Sequence, residues 1–149
     1  MATVNLPPDF KEFLRLLNSS AVEYLLIGGY AVGYHGYPRA TADLDIWIAT
    51  DTGNAAKMVG VMREFGFDVP ELSAELFQKE DQVIRMGVPP IRIEVLTTIS
   101  GVAFGECYSG RVEDELDGVP VKIISLEQLK KNKRASGRHQ DLADLEELP

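Results

Sequence analysis

The chain has 149 residues and a mass of 16.5 kDa, which is the size of one ordinary domain. Its content of 45% hydrophobic and 26% charged residues excludes a disordered, collagenous or coiled-coil protein. The longest apolar runs are too short to span a bilayer, the first nine residues show no secretory signal, and the single cysteine excludes an internal disulfide. We therefore expect one cytoplasmic domain over residues 1–149, with no membrane partner.

The net charge of −8 is unevenly distributed along the chain. Residues 121–139 contain six Lys or Arg residues and one Glu, a net charge of +5, so the remaining residues carry −13. A uniformly acidic protein would repel nucleic acids and nucleotides. One confined basic segment can still present a positive surface to phosphate groups.

Apolar spacing, turn residues and caps predict the secondary structure in chain order. The predicted helices are one that contains residues 10–17, a short one that contains 30–34, one over 55–65, a short one over 72–77, one opened by a capping box at 125–128 and ending near 136, and a last one that contains 142–148. The predicted strands lie over 23–27, 43–48, 83–86 and 91–96, and two further strands form a hairpin over 111–116 and 119–124. Residues 100–110 are glycine-rich and receive no assignment. This order predicts an α+β fold with a mixed β-sheet of about five strands flanked by α-helices.

The sharpest chemical signal is the pair Asp43 and Asp45 on a predicted strand. Side chains two residues apart on a strand point to the same face, so the two carboxylates lie side by side while Leu44 and Ile46 enter the core. Adjacent like charges need a cation to offset them, and hard oxygen ligands suit Mg²⁺ or Mn²⁺. The alternative is an exposed pair of acids at a strand end, which is at least as common for this motif alone.

Glu94 is the second candidate, because acidic residues are depleted from strands. Ile93 and Val95 would face the core and leave Glu94 on the opposite face. If this strand lies beside the strand of Asp43, three carboxylates converge, which is the ligand set of a two-metal phosphoryl-transfer site. A surface strand with Arg92 and Glu94 exposed is an equally weighted alternative.

The pair Gly28-Gly29 follows a strand and precedes a helix. Glycines at this position let a phosphate approach the backbone, although a tight strand-to-helix turn is the favoured explanation for the pair alone. The sequence contains neither a Walker A motif nor the Rossmann glycine triplet.

In combination, these features resemble the nucleotidyltransferase superfamily of the DNA polymerase β type, over residues 23–148. The resemblance rests on the stretches 26–32, 35–36 and 39–46, on Glu94, and on residues 133–145, where Lys133, Arg138, Asp141 and Asp144 fit the pattern and Gln140 replaces a common lysine. The chain looks most similar to the branch that holds AbiEii-type toxins and enzymes that modify lincosamides or aminoglycosides.

The resemblance implies a nucleotidyltransferase-like fold and a role for each matching residue. Asp43 and Asp45 would bind two metal ions, Mg²⁺ or Mn²⁺, and Glu94 would bind one of them and help to activate the acceptor hydroxyl. Gly28 and Gly29 would hold the triphosphate. The acceptor oxygen would then attack the α-phosphate, and pyrophosphate would leave.

Four further residues are candidates for contacts to the nucleotide: Arg39, Thr41, Lys133 and Arg138. For the first two, the alternative is a loop arginine and a turn threonine. For the two basic residues of the C-terminal segment, the alternative is a solvated helix face that pairs with Asp141 and Asp144. Trp47 shares the face of the two aspartates, and packing in the sheet is favoured over stacking on a base. Cys107 is predicted to be a small core residue.

The principal hypothesis is a metal-dependent nucleotidyltransferase that moves NMP from an NTP, such as ATP, to a hydroxyl of tRNA, a protein or a small molecule. A toxin-antitoxin toxin, restrained by a cognate antitoxin, is one form of it. The alternative is a non-catalytic interaction module completed by a helical partner protein, which the intact Asp43, Asp45 and Glu94 disfavour. A third hypothesis takes Asp43 and Asp45 as the metal site of a glycosyltransferase, and the short chain argues against it. A homodimer would give a one-domain transferase its acceptor site.

Overall fold

The computed structural model describes residues 5–41 and 43–149. Along them the elements are α1 (Pro8–Ser19), β1 (Tyr24–Ile27), α2 (Gly28–Tyr34), β2 (Asp43–Ile48), α3 (Thr52–Phe65), α4 (Ala74–Gln78), β3 (Val83–Val88), β4 (Ile91–Leu96), α5 (Phe104–Ser109), β5 (Val112–Leu116), β6 (Val119–Ile123), α6 (Leu126–Ser136) and α7 (His139–Glu147). Residues 1–4 and 42 lie outside the described residues. The first four belong to the segment predicted to hold no secretory signal, and position 42 belongs to the stretch 39–46 that carries the resemblance.

The strands form one mixed sheet in the order β3-β4-β2-β1-β6-β5. The pairs β1–β6 and β2–β4 are parallel, and the other three neighbouring pairs are antiparallel. The α+β class with a mixed sheet and flanking helices is therefore confirmed. The sheet has six strands rather than about five, because both hairpins join the same sheet at its two edges.

The core confirms the predicted periodicities. Every residue of β1 is buried, as expected for a strand in the middle of a sheet covered on both faces. On β2 and β4 the residues predicted to point inward are buried, and on α1 the apolar stripe is fully buried: these residues are Leu44, Ile46, Ile93, Val95, Phe10, Phe13, Leu14 and Leu17. Burial of each such side chain contributes roughly 1.5–3 kcal/mol to folding.

Side-chain caps begin α3 and α6. The capping box predicted at 125–128 is only half formed, because the buried Oε1 of Gln128 has no hydrogen-bond partner among the described residues. The Asp51 side chain accepts a hydrogen bond from the Asn54 backbone N–H at 3.1 Å, and the Ser125 hydroxyl accepts one from the Gln128 N–H at 3.3 Å. Gly66 ends α3 with a φ of 106°, a left-handed conformation that glycine adopts without strain.

The segment without an assignment contains α5, a helix of six residues. Glycines 101, 105 and 110 surround and interrupt this segment, so it carries too few apolar residues to show a helical period. Cys107 on this helix is buried, as predicted. None of the helices in the described ranges is both long enough and apolar enough to cross a membrane.

Candidate active site

The register of two parallel strands brings the three predicted carboxylates together. On neighbouring β2 and β4, Asp45 lies opposite Glu94 and Asp43 lies opposite Arg92. One carboxylate oxygen from each of Asp43, Asp45 and Glu94 lies within 4.8 Å of the other two. We call these three residues the acidic cluster. They share one face of the sheet, because alternation turns Leu44, Ile93 and their neighbours into the core.

The carboxyl group of Asp45 has a strongly raised pKa. Burial raises the pKa of the Asp45 carboxyl to about 7, and the negative charges of Glu94 and Asp43 act in the same direction. Lys133 and Arg138 lower this pKa, but they do not offset the rise. A group of partly buried carboxylates whose charge is incompletely balanced is typical of a site that binds a cation.

Two arginines partly neutralise the cluster. Arg92 donates hydrogen bonds to Oδ2 of Asp43 from Nη2 at 2.8 Å and from Nε at 3.2 Å, and its Nη2 lies 3.3 Å from Oε1 of Glu94. Arg85 donates to the same Glu94 oxygen from Nε at 3.2 Å. Oδ1 of Asp43 is buried and has no hydrogen-bond partner among the described residues. The acidic cluster therefore has a buried oxygen to offer a divalent cation, and its three oxygens are the ligands that Mg²⁺ and Mn²⁺ prefer.

Gly28 and Gly29 hold the backbone close to this cluster. Gly28 has a φ of +70°, and a Cβ at this position would overlap the carboxylate of Asp45. A Cβ at Gly29 would overlap the side chain of Thr41. Both glycines are therefore required by a tight strand-to-helix turn, and this turn brings the loop that carries Thr41 to the edge of the site.

Three basic residues, one on α6 and two on loops, pair with two buried aspartates of α7 in an ionic network. Lys133 is 5% exposed, and its Nζ lies 3.0 Å from Oδ1 of Asp141 and 3.1 Å from Oδ2 of Asp144. Arg39 binds both oxygens of Asp144 from Nε at 2.9 Å and Nη2 at 3.0 Å. Arg138 donates to Oδ2 of Asp141 at 2.8 Å. We call these five residues the ionic network.

Ion pairing decides the charge state of the network. Burial raises the pKa of Asp141, but hydrogen bonds from Arg138 and Lys133 outweigh it and hold that pKa well below its usual range. Lys133 pairs with Asp141 and Asp144, and Arg138 pairs with Asp141, as the alternative predicts. The solvated helix face of that alternative is wrong, because Lys133 is buried and Arg138 follows the end of α6. The Arg138 side chain is 78% exposed and lines both clefts, while its guanidinium is paired with the buried Asp141.

Two clefts meet at the acidic cluster. The wide cleft, of about 540 Å³, extends from Asp43 and Asp45 over Glu94 to Ser100 and Asn132. The narrow cleft, of about 310 Å³, extends from the same two aspartates over Gly29, Arg39, Thr41 and Gln140. The structure therefore brings the predicted site residues together along one continuous surface: Gly28, Gly29, Arg39, Thr41, Asp43, Asp45, Glu94, Lys133 and Arg138.

Comparison with protein families agrees with this geometry. The family model for aminoglycoside-2''-adenylyltransferase matches residues 9–148. The chain belongs to this family. A comparison with curated proteins finds no match. The match spans every candidate residue from Gly28 to Arg138, and it confirms the predicted resemblance to nucleotidyltransferases.

Membership in the aminoglycoside-2''-adenylyltransferase family gives the site a chemical class, that of nucleotidyl transfer. The family match does not extend to the AbiEii-type branch that the sequence also resembles.

Some site residues of this family member were missed by sequence reasoning. Arg85 and Arg92 line the wide cleft and contact the acidic cluster, but neither is among the predicted site residues. A signal for Arg92 is present, because strand alternation places it on the same face as Glu94 two residues away. The position of Arg85 at the site depends on the pairing of β3 with β4, in which Arg85 lies opposite Glu94. The local sequence does not show this pairing.

Trp47 follows the favoured prediction. It is 2% exposed, its ring packs edge-on against Phe104 at 5.1 Å between centroids, and its indole N–H lies 3.4 Å from the Thr97 carbonyl. Trp47 therefore packs in the sheet, and a nucleobase has no access to its ring.

Proposed function

We propose that the chain is a metal-dependent nucleotidyltransferase that transfers AMP from ATP to a hydroxyl group of a small molecule. The observation that carries this proposal is the convergence of Asp43, Asp45 and Glu94 between two clefts. The family description supports ATP as the nucleotide and an aminoglycoside-like, polyhydroxylated molecule as the acceptor.

The acidic cluster would hold Mg²⁺ or Mn²⁺. Bound there, such ions supply Lewis acidity and neutralise charge on phosphate oxygens. The buried and unpartnered Oδ1 of Asp43 and the raised pKa of Asp45 both support this role, since a cation would satisfy the oxygen and keep the carboxylate ionised.

The charge balance around the clefts also supports metal dependence. The acidic cluster, the ionic network and the two arginines of the wide cleft together contain five cations and five carboxylates. With all five carboxylates ionised, the site has no net positive charge to attract a triphosphate, which carries several negative charges. Bound divalent cations would make the site positive and couple nucleotide binding to metal binding.

The chain's own residues would position the reactants. Gly28 and Gly29 would let the triphosphate approach the backbone, while Thr41, Arg39, Lys133 and Arg138 would contact its oxygens from the narrow cleft. Glu94 would accept a hydrogen bond from the acceptor hydroxyl in the wide cleft. The hydroxyl oxygen then attacks the α-phosphorus, its proton passes to a base, and the bond to the pyrophosphate leaving group breaks.

A nucleotide titration tests this function. A non-hydrolysable ATP analogue is titrated by calorimetry, with and without Mg²⁺, into the wild type and the Asp43→Asn/Asp45→Asn variant. We expect Mg²⁺-dependent binding to the wild type and a loss of at least about 100-fold in the variant. A matched control, Glu71→Gln/Glu80→Gln, removes two exposed acids away from the clefts and should bind like the wild type. If the analogue does not bind the wild type, GTP, CTP and UTP are titrated in the same way, and failure of all four nucleotides to bind would contradict the proposal and favour the interaction-module alternative.

An acceptor screen then tests the second half of the proposal. Labelled ATP is offered with a panel of aminoglycosides and other small polyols, with total tRNA and with a protein mixture. Transfer to a small molecule is the expected result. Transfer to tRNA or to protein hydroxyls alone would instead identify a toxin-like enzyme, for which a cognate antitoxin and a homodimer would be the partners to seek.

A further inference from the structure

Arg92 and Arg85 occupy oxygen atoms that a metal ion at the acidic cluster would need. Oδ2 of Asp43 receives two hydrogen bonds from Arg92, and Oε1 of Glu94 lies within 3.3 Å of a nitrogen of each arginine. A divalent cation and a guanidinium group repel each other, so they cannot share these carboxylates at hydrogen-bond distance without a loss of affinity. The arginines would therefore compete with a metal ion for these oxygens.

Both arginines have room to leave the acidic cluster. The Arg92 side chain is 31% exposed and that of Arg85 is 59% exposed, and both line the wide cleft of about 540 Å³. Their backbones are fixed in the paired strands β3 and β4. A released guanidinium would thus stay tethered at the cleft, within a side-chain length of the cluster.

Arg92 differs from Arg85 in how strongly it is held. Arg92 bridges two members of the cluster, Asp43 and Glu94, whereas Arg85 makes one hydrogen bond to Glu94 and is more exposed. Removal of Arg92 should therefore change the affinity for a cation much more than removal of Arg85.

We propose that Arg92 exchanges between the acidic cluster and the phosphate groups of the nucleotide, an inference that rests on the proposed function. In the metal-free protein it holds Asp43 and Glu94 together. Cation binding releases its guanidinium into the wide cleft, where its planar fork of donors fits phosphate oxygens. Metal and nucleotide then bind with positive coupling, because each favours the released position of the same side chain.

Metal titration without nucleotide tests the competition directly. Mn²⁺ alone is titrated into the wild type, Arg92→Gln, Arg85→Gln and a control, Arg63→Gln, which removes an exposed arginine that pairs only with the exposed Asp68 among the described residues. We expect Arg92→Gln to bind Mn²⁺ about tenfold more tightly than the wild type, or about 1.4 kcal/mol, since the cation no longer has to displace hydrogen bonds from a charged group. Arg85→Gln should gain about two- to threefold, and Arg63→Gln should match the wild type.

The same variants at saturating Mn²⁺ test the second position of Arg92. A non-hydrolysable ATP analogue should bind Arg92→Gln about tenfold more weakly than the wild type, and Arg92→Lys should recover part of this affinity through its point charge. Opposite changes in metal and nucleotide affinity are not expected of a residue that only stabilises the fold. Thermal unfolding of each variant identifies any that is misfolded, and Arg92→Lys preserves the charge if Arg92→Gln is unstable.

The two proposals fail in different ways. If the wild type binds Mn²⁺ but Arg92→Gln binds it equally or more weakly, the exchange is overturned and the nucleotidyltransferase assignment stands. If Arg92→Gln gains Mn²⁺ affinity and keeps its full affinity for the analogue, the phosphate-binding position is overturned. If neither protein binds Mn²⁺ with or without the analogue, the metal site of the proposed function fails as well.

Discussion

The acidic cluster and the ionic network lie side by side, and both combine carboxylates with basic side chains, but they differ in how completely the charges are paired. In the network, Asp144 accepts hydrogen bonds from Arg39 and Gln140 and also contacts Lys133, and Asp141 is paired with two cations. In the cluster, a buried oxygen of Asp43 lacks a partner within the described ranges and the pKa of Asp45 is raised to about 7.

The difference separates a region that mainly stabilises the fold from one that is short of positive charge. A buried charge network in which every member is satisfied rigidifies the fold, and its loss is expected to cost stability. A group of carboxylates that is left short of positive charge is a cost to the folded chain, which a bound cation would remove. Three substitutions and one change of pH distinguish the two regions, with expected effects from about 5 kcal/mol down to about 1–2 kcal/mol.

Asp45→Asn should abolish transfer without unfolding the chain. Loss of one ligand of the acidic cluster is expected to reduce kcat/KM by about 10⁴-fold, or about 5 kcal/mol of transition-state stabilisation. Because the substitution also removes one of three repelling charges, the metal-free variant should be at least as stable as the wild type. Steady-state kinetics with ATP and urea unfolding measure the two effects. An active but strongly destabilised variant would contradict the assignment.

Lys133→Met should instead act mainly on stability. The substitution leaves Asp141 and Asp144, which are 1% and 0% exposed, without their shared cation. Breaking a buried pair on one side costs about 3–5 kcal/mol, which urea unfolding would show as a large shift in midpoint. Lys131→Met, at an exposed position on the same helix, is the control and should change little. Equal stability of the two variants would show that the network is not structural.

Gly28→Ala lies at the boundary of the two regions. Its φ of +70° and the overlap of a Cβ with the Asp45 carboxylate predict a loss of about 2 kcal/mol together with a displaced carboxylate. The matched control is Gly60→Ala in α3, where no atom lies within 4 Å of the added Cβ, and it should raise stability by about 0.5–1 kcal/mol. Thermal or urea unfolding measures both, and a neutral Gly28→Ala would show that the turn can relax.

The pH dependence of stability gives the smallest effect. The folded-state pKa of Asp45 is raised to about 7 from 3.8, so the folded protein binds this proton more tightly than the unfolded chain does. The associated stability is fully present below about pH 4 and is lost as the pH rises through about 7, by about 1–2 kcal/mol after allowance for solvent screening. Urea unfolding of metal-free wild type and Asp45→Asn between pH 5 and 8 isolates it. Parallel curves for the two proteins would contradict the raised pKa.

Much of the fold follows from local sequence. The alternation at residues 43–48 and the helical spacing at Phe10, Phe13 and Leu17 predict elements that the structure contains, because burial acts directly on these periods. The short α5 was not predicted, since six residues around glycines carry no period. The strand order depends on contacts between distant segments, such as β2 with β4, and a local pattern does not contain them.

Of the candidate site, too, local sequence predicts one part, and contacts between distant segments determine the rest. Alternation alone places Asp43, Asp45 and Glu94 on one face of their strands, but only the resemblance joined the two strands into one site. The pairing of Arg39 with Asp144 spans 105 positions of sequence, so the sequence left phosphate contact and ion pairing open for Arg39. The roles of Arg39, Thr41, Lys133 and Arg138 in nucleotide binding stay predictions.

The pairing of Arg39 with Asp144 also has a consequence for the order in which the molecule is completed. A chain synthesised from its N-terminus exposes β1, β2 and β4 well before residue 144 leaves the ribosome. Arg39 gains its partner on α7 only when nearly the whole chain has been made. The ion pair between Arg39 and Asp144 is therefore among the last contacts of the fold to form during synthesis, long after the strands that carry the three carboxylates have been made.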